Sequence, residues 1–380
     1  MKVAVIYDFA THPGGGDFVM LNILYTLKEI GLEVDLLTSR LEGLQKSASF
    51  FEVETPAVNL HYMRLPPYFK HPYSMAYIAC MATKLRYDIY VVSDDLPKCL
   101  TQTAGINYIH YPHVARLKHR EYVADKYKQT LCGKLVWKLH ESLFPRLFET
   151  KGKPSRWLFI TNSLVTQQHV KEVFNITDVV LLHPPVRAKK IYNIWKEHRA
   201  GKENIIVSIG RFEPEKRTLD ILHAFSRVAP ETDAKLYLIG FSKDEHNLLE
   251  MVKQLNISNK VRTLINAPWE TVVETLLRAK ALVHAAPHEP FGIAVVEGMA
   301  AGSIPIVRRG FNGPWLEITK EGHYGIGFSN VEELANAIKV AVQKYDTFDI
   351  ESISLRALDF DEEIFRQKFA NLVKQFATQL

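Results

Sequence analysis

The sequence predicts an α/β protein built from two doubly wound, parallel-sheet domains facing a central cleft. Three observations carry that expectation. The strands are continuous Val/Ile/Leu runs rather than alternating ones, which marks sheets covered on both faces. Helix-period segments separate them, as βαβ crossovers require. The pattern is then repeated in the second half of a chain whose 380 residues suit two ordinary domains.

Taken in order, Val3–Tyr7 reads as the first buried strand and is followed by the loop DFATHPGGG. A helix from about Asp17 comes next, its leucines at 21, 24 and 27 and Ile30 recurring at helical spacing behind an acidic first turn. Val34–Leu37, Ile89–Val92 and Tyr108–Tyr111 read as further strands. In the second half, strands are predicted over Ile205–Ile209, Lys235–Ile239, Val261–Ile265, Ala281–Ala285 and Ile304–Val307. Helices are predicted over Leu219–Val228, Leu248–Leu255, near Val272–Leu277 and from about Ile293. Between the halves lies HPPVRAKKIYNIWKEHRAGKEN, with two prolines and a charged, poorly periodic tail, the best candidate for a linker.

Composition excludes several classes. No apolar run approaches the roughly 18 to 20 residues that span a bilayer, and MKVAVIYDF enters a strand without the features of a signal peptide. Cys80, Cys99 and Cys132 show no CxxC or Cys/His spacing, so neither a disulfide framework nor a zinc site is expected. A cytoplasmic protein follows as the expectation, and the sequons at Asn175 and Asn256 would then stay unglycosylated. Charge is unevenly spread. Residues 116–156 hold eleven Lys or Arg against four Asp or Glu, a surplus of seven that exceeds the +5 of the whole chain. Tyr122, Tyr127, Leu131, Val136, Trp137, Leu143, Phe144, Leu147 and Phe148 are interleaved with it. Such a run is either a solvated basic face or a surface that rests on anionic lipid with its Trp and Phe at the boundary. No nucleic-acid motif accompanies it.

Ligands of doubly wound sheets bind outside the carboxyl ends of the strands, so the loops after the strands hold the candidate site. In THPGGGDF, the glycines at 14, 15 and 16 precede a helix start and let backbone amides approach an anion. The alternatives there are a plain tight turn, or a dinucleotide site with Asp35 on the ribose. The last fails in detail, because Val19 stands where GxGxxG wants a glycine. In YIHYPHVARL, His110 leaves a strand end toward the cleft, which favours a catalytic role over plain packing. In SIGRFEPEKRTLDI, Arg211 and Lys216 lie five residues apart across a short turn and suit one diphosphate; alone, they are also an ordinary charged helix start.

The fourth loop, HAAPHEPFGIAVVEGMAAGSIPIV, places Glu289 before Phe291 and Gly292, and Glu297 one turn into the helix that Ile293 begins. The amides of residues 291–293 can bind sugar hydroxyls or phosphate oxygens. Glu297 can accept two hydrogen bonds from vicinal hydroxyls such as those of a ribose. The alternatives are a buried acid paired with a base for Glu297, and a solvated carboxylate for Glu289. A hydrolytic carboxylate pair, which needs a separation of roughly 5 to 9.5 Å across one bond, is disfavoured by a loop-and-helix placement.

Together these motifs resemble one family. EPFGIAVVE is similar to the Glu-x7-Glu signature of the retaining GT-B glycosyltransferases of family 4, and GRFEPEKR to their Gly-Arg-x4-Lys loop. FITNSLVTQQHVKEVF followed by LLHPPV resembles the segment that leads into their interdomain linker. Within the family, GGGDFVMLNI, YIHYP and FGIAVVEGMAAGSIPIV resemble the mannosyltransferases that extend lipid-linked oligosaccharides.

The resemblance implies two Rossmann-like domains, 1–184 on the acceptor side and 185–362 binding the nucleotide sugar, with a C-terminal helix over 363–380 completing the first. It implies that Glu297 holds the ribose, that Glu289 lies under the donor sugar, and that Arg211 and Lys216 neutralise the leaving diphosphate without a metal or other cofactor. His110 would contact the donor sugar, the amides of Phe291, Gly292 and Ile293 would bind its hydroxyls, and Gly15 and Gly16 would let the first loop close on the diphosphate. The implied reaction is transfer of a hexose with retention, most simply mannose from GDP-mannose, onto a lipid-linked or other glycan at the cytoplasmic face of a membrane. A UDP-sugar-dependent enzyme of the same fold, a non-catalytic nucleotide-sugar-binding protein and an NAD enzyme are the alternatives.

Overall fold

The computed structural model describes residues 1–65, 72–113, 115, 131–198, 201–240 and 245–380. They divide into two compact units: Met1–Pro185 with Phe365–Leu380, and Val186–Ile364.

The first unit is a seven-stranded parallel sheet of β1 (Lys2–Ile6), β2 (Glu33–Thr38), β3 (Asn59–Tyr62), β4 (Ile89–Ser93), β5 (Gly105–Ile109), β6 (Trp157–Thr161) and β7 (Val180–Leu181), in the order β3-β2-β1-β4-β5-β6-β7. Helices α1 (Gly15–Glu29), α2 (Gly43–Phe50), α3 (Tyr73–Ala82), α4 (Leu131–Leu147) and α5 (Leu164–Phe174) connect them. Strands this apolar need cover on both faces, and they have it. Leu21 and Leu24 of α1 join Phe365, Phe369 and Val373 of the C-terminal helix on one face. Ile78 of α3 and Phe174 of α5 pack on the other, against Ile6, Val92 and Phe159.

The second unit repeats the plan. It opens with α6 (Ala188–His198), and its six parallel strands are β8 (Glu203–Ile209), β9 (Lys235–Gly240), β10 (Val261–Ile265), β11 (Ala279–His284), β12 (Ile304–Arg308) and β13 (Ile326–Phe328), ordered β10-β9-β8-β11-β12-β13. Helices α7 (Thr218–Val228), α8 (Glu245–Gln254), α9 (Trp269–Arg278), α10 (Ile293–Ala300), α11 (Val331–Gln343) and α12 (Ile350–Ala357) cover it, and α13 (Glu362–Ala377) carries the chain back to the first unit. In each sheet the winding reverses once, between β1 and β4 and between β8 and β11. Loops that leave those strands diverge to opposite faces and open a crevice there.

Four expectations change. The segment expected as a linker is helical over Ala188–His198 and belongs to the second unit, because Ala188, Ile191 and Tyr192 recur at helical spacing and are buried. Cys80 and Cys99 form a disulfide with Cα atoms 5.5 Å apart. Their 19-residue separation carries no motif; β4 runs out and returns the chain so that α3 meets the turn at Lys98–Leu100. Because cytosolic thiols normally stay reduced, this pair also removes one ground for expecting that compartment. The aromatic residues expected at a lipid boundary face inward instead: Trp137, Phe144 and Phe148 are all buried, since α4 needs them to pack on the unit. Finally, the strand expected over Tyr108–Tyr111 runs instead over Gly105–Ile109, freeing His110 and Tyr111 to turn out of the sheet. Residues 116–130 of the basic run lie outside the described residues. Among the described residues no helix is long and apolar enough to cross a membrane.

Candidate active site

Each unit carries a cluster at the carboxyl ends of its switch-point strands. In the second unit it is built from the loops after β8 and β11. The loop after β8 leaves at Gly210, whose carbonyl sits against Gly240: a Cβ on Gly240 would lie 1.8 Å from that oxygen, so the end of β9 must be glycine for the loop to seat. The chain then forms a short 3-10 turn over Pro214–Lys216 and turns Lys216 back under the sheet end. There its Nζ lies 2.5 Å from Glu289 Oε2, which the loop after β11 supplies. His284, the last residue of β11, brings Nε2 to 3.2 Å from the same oxygen, close enough for attraction but not aligned as a hydrogen bond. Gly210, Arg211, Phe212, Lys216, Thr218 and His284 line a small cleft beside this cluster.

Electrostatics separate the two carboxylates Glu289 and Glu297. Burial alone would push the Glu289 pKa up, but the Lys216 ammonium and His284 outweigh it and hold the carboxyl well below its usual range. Burial dominates at Glu297 and pushes its pKa up, opposed by the Arg187 guanidinium and the Trp269 indole. Arg187 is itself buried, with its guanidinium carbon 3.4 Å above the Trp269 ring centroid. Glu297 is thus a buried acid beside a base in the ligand-free chain, and Glu289 is a paired rather than a solvated carboxylate.

Gly292 holds φ at +103°, left-handed backbone that favours glycine, and it turns the chain into α10 just after Glu289. The amide of Ile293 at the start of α10 has no carbonyl one turn earlier and remains available to a ligand, while that of Val295 donates to the Gly292 carbonyl at 2.9 Å. Phe291, by contrast, faces the core, with its ring 5.2 Å from that of Phe360. Arg211 does not converge with Lys216: it is exposed, and Nη1 lies 3.7 Å from Glu213.

In the first unit, His110 and the glycine loop meet. A side chain on Gly16 would lie 3.7 Å from His110 Nε2 and 3.5 Å from the Tyr7 hydroxyl. Asp94, after β4, accepts from the amides of His110 (2.8 Å) and Tyr111 (2.9 Å), and Thr166 donates to the His110 carbonyl at 3.0 Å. The ring is held edge-on to Tyr108 at 5.1 Å, and its Nε2 is buried with no hydrogen-bond partner among the described residues. Asp17 lies beneath the glycine loop and accepts from the amides of Gly14 (2.8 Å) and Ala10 (2.9 Å). Burial pushes the Asp17 pKa up, although both amides oppose that. Gly15 and Gly16 begin α1 and present first-turn amides.

Asp35, the residue a dinucleotide site would need, is buried on β2 and committed to Asn59, Tyr87, Lys2 and His61. The sequence reading missed Asp94, His284 and the Arg187–Trp269 pair. Asp94 is signalled only by following a buried strand, and His284 stands in the same quoted stretch as Glu289. Nothing local marks Arg187, which meets Glu297 only through the fold.

Comparison with known families matches residues 190–348, which carry Arg211, Lys216, Glu289 and Glu297, to glycosyl transferases group 1. That stretch resembles a group 1 glycosyl transferase domain. The chain is 31% identical over 213 residues to a GDP-Man:Man(3)GlcNAc(2)-PP-Dol alpha-1,2-mannosyltransferase of Neurospora crassa, covering 48% of this chain and 38% of that protein. It is 26% identical over 307 residues to the protein of the same name from Dictyostelium discoideum, covering 72% and 59%. The aligned part therefore spans well under two thirds of either relative. A sucrose-phosphate synthase structure from Thermosynechococcus elongatus matches with a TM-score of 0.75 at 15% identity, over 100% of both chains. The fold is GT-B, with two α/β units.

Proposed function

We propose that the protein transfers mannose from GDP-mannose to a lipid-linked oligosaccharide with retention at the anomeric carbon. The observation that carries the reading is the part-buried Lys216–Glu289 pair at the switch point of the second unit, inside the stretch matched to group 1 glycosyl transferases. Relatives named as GDP-mannose-dependent mannosyltransferases support the donor.

In this mechanism Lys216 exchanges part of its contact with Glu289 for the diphosphate, and Arg211 swings from Glu213 to meet the same group. Two cations at the leaving diphosphate stabilise the charge that develops there, with no metal or other cofactor called for. Glu297 accepts from the ribose hydroxyls. Glu289, whose pKa is held low, stays a carboxylate throughout the neutral range. It accepts from sugar hydroxyls and has no proton to give a leaving group. A phosphate oxygen of the departing nucleotide then takes the acceptor's proton as the new bond forms on the same face. In the first unit, His110, oriented by Asp94 beside the glycine loop, offers a group suited to sugar hydroxyls, and Gly15 and Gly16 offer amides suited to an anion.

A thermal-shift panel of GDP, UDP and ADP tests the donor, because a ligand that binds only the native state raises the melting temperature. GDP alone should stabilise. Stabilisation by UDP and not GDP would overturn the donor assignment, and a β-linked product from the α-configured donor would overturn retention.

A further inference from the structure

Glu289 has two basic neighbours on a single oxygen. Lys216, from the loop after β8, holds Nζ 2.5 Å from Oε2, and His284, the last residue of β11, holds Nε2 3.2 Å from the same atom. The two differ in freedom to move. Lys216 reaches in on a flexible four-carbon stem and is 25% exposed, whereas the imidazole is fixed at the end of a central strand and is 6% exposed. Its Nε2 is buried and makes no hydrogen bond among the described residues. Both side chains line the small cleft, together with Arg211 and Thr218.

A diphosphate in that cleft changes the charge around the ring in one direction. It draws Lys216 toward its own oxygens, and a buried carboxylate stripped of its cation is strongly penalised. The diphosphate and the uncovered Glu289 both add negative potential at His284, and an imidazole is the side chain that answers such a change near neutral pH. The other cations are engaged elsewhere: Arg211 lies 3.7 Å from Glu213, and Arg308, at the end of β12, lies 3.6 Å from Asp220, which also meets Arg217 at 2.9 Å. On α11, which packs on β11, Glu332, Glu333 and Lys339 are paired with Arg227, Arg309 and Glu231. Of the acids on the loop after β8 and the start of α7, Glu213, Glu215 and Asp220, none lies within 4 Å of the His284 ring; Glu289 does. His288 is the further titratable group on the same loop as Glu289. We propose that His284 is a positioning residue for Glu289: when the diphosphate takes Lys216, the imidazole takes up one proton from solvent, and Nε2–H of the imidazolium donates to Oε2 in place of the ammonium. Glu289 thereby stays ionised and in place while the donor is bound. This role rests on the cleft being the diphosphate site and adds the proton that binding there brings in.

The test is titration calorimetry of the full chain with GDP at about pH 7.5, in two buffers of unlike ionisation enthalpy, which counts the protons bound with the nucleotide. The parent chain should take up about half a proton or more beyond His284→Gln, and the difference cancels protons that GDP itself carries. Its affinity for GDP should fall as pH is raised from about 7 to about 8.5, because the bound form holds the extra proton, whereas that of the variant should stay flat. A merely structural histidine would alter affinity alike at every pH. Melting temperatures of His284→Gln and His284→Asn show which variant is folded, and the parent's own proton count and pH profile need neither. GDP bound by the parent without proton uptake, or with equal uptake by a folded variant, would overturn the role of His284 and leave the diphosphate site standing. No binding of GDP at any pH would overturn both.

Discussion

Removing the ammonium of Lys216 is the perturbation with the clearest arithmetic. Lys216→Ala leaves Glu289, only 16% exposed, without the cation 2.5 Å from its Oε2. Breaking a buried pair from one side costs about 3–5 kcal/mol. Lys216 is itself 25% exposed, and His284 remains 3.2 Å away, so roughly 2 kcal/mol is the reasoned figure. For a unit of this size that lowers the melting temperature by about 4–8 °C. Stability should therefore fall, whereas the motif alone, read as a ligand clamp, suggests folding would be indifferent. Turnover should fall about a hundredfold, near 2.7 kcal/mol of barrier, for the loss of one preorganised donor. The sign with pH follows from the depressed Glu289 pKa. Its contribution is present above the unfolded carboxyl value near 4.3 and is lost as pH falls toward the folded value. The Lys216→Ala variant should show a shallower loss of stability below about pH 5 than the parent chain. Calorimetry of both single variants and of Lys216→Ala with Glu289→Gln gives the coupling. A coupling energy under about 0.5 kcal/mol, with parallel acid profiles, would refute the pair as a buried interaction.

Three further outcomes follow from other parts of the molecule. Gly292→Ala should lower stability by about 1–3 kcal/mol, read by denaturant melts, because φ is +103° and the new methyl would meet Pro314 Cγ at 2.9 Å; a neutral result would refute the strain. Glu297→Gln should weaken binding of free GDP at least about tenfold by titration calorimetry, and unchanged affinity would remove the ribose role. Replacing both Cys80 and Cys99 by Ala should cost about 3 kcal/mol of stability in non-reducing melts, as expected for closing a loop near 19 residues; equal midpoints for both proteins would show the thiols unpaired.

What was legible in the sequence is what local periodicity and backbone chemistry encode. Strands buried on both faces show as apolar runs, so β1, β4, β8 and β11 were readable, and with them the loops that follow. Gly292 was readable as the opening of α10, but its left-handed backbone showed only in the structure. The linker misled because charge hides the helical spacing of Ile191 and Tyr192, which shows only once a core lies against it. β3 escaped for the opposite reason, being an edge strand whose residues are largely exposed and carry no apolar run. Trp137 and Phe144 misled because composition cannot say which face of a helix turns inward; Trp137 and His140, three apart, settled the inner face and so left Leu135 and Leu139 outside.

The residues missed at the site share a property: each acts on a partner remote in sequence. Asp94 reaches His110 across two parallel strands and Arg187 reaches Glu297 across a whole domain, and in neither case does one residue's neighbourhood announce the other. Asp94 and Asp95 show how much this hides. The first accepts from the amides of His110 and Tyr111; the second accepts from the amide of His113 at 2.9 Å and lies 2.5 Å from its ring nitrogen. Two adjacent acids at the end of β4 thus fix the course of residues 110–113 after β5. His113 in turn packs its ring 6.0 Å from Phe144 on α4. The acids that orient His110 and helix α4 therefore meet in one contact chain, Asp94–Asp95–His113–Phe144.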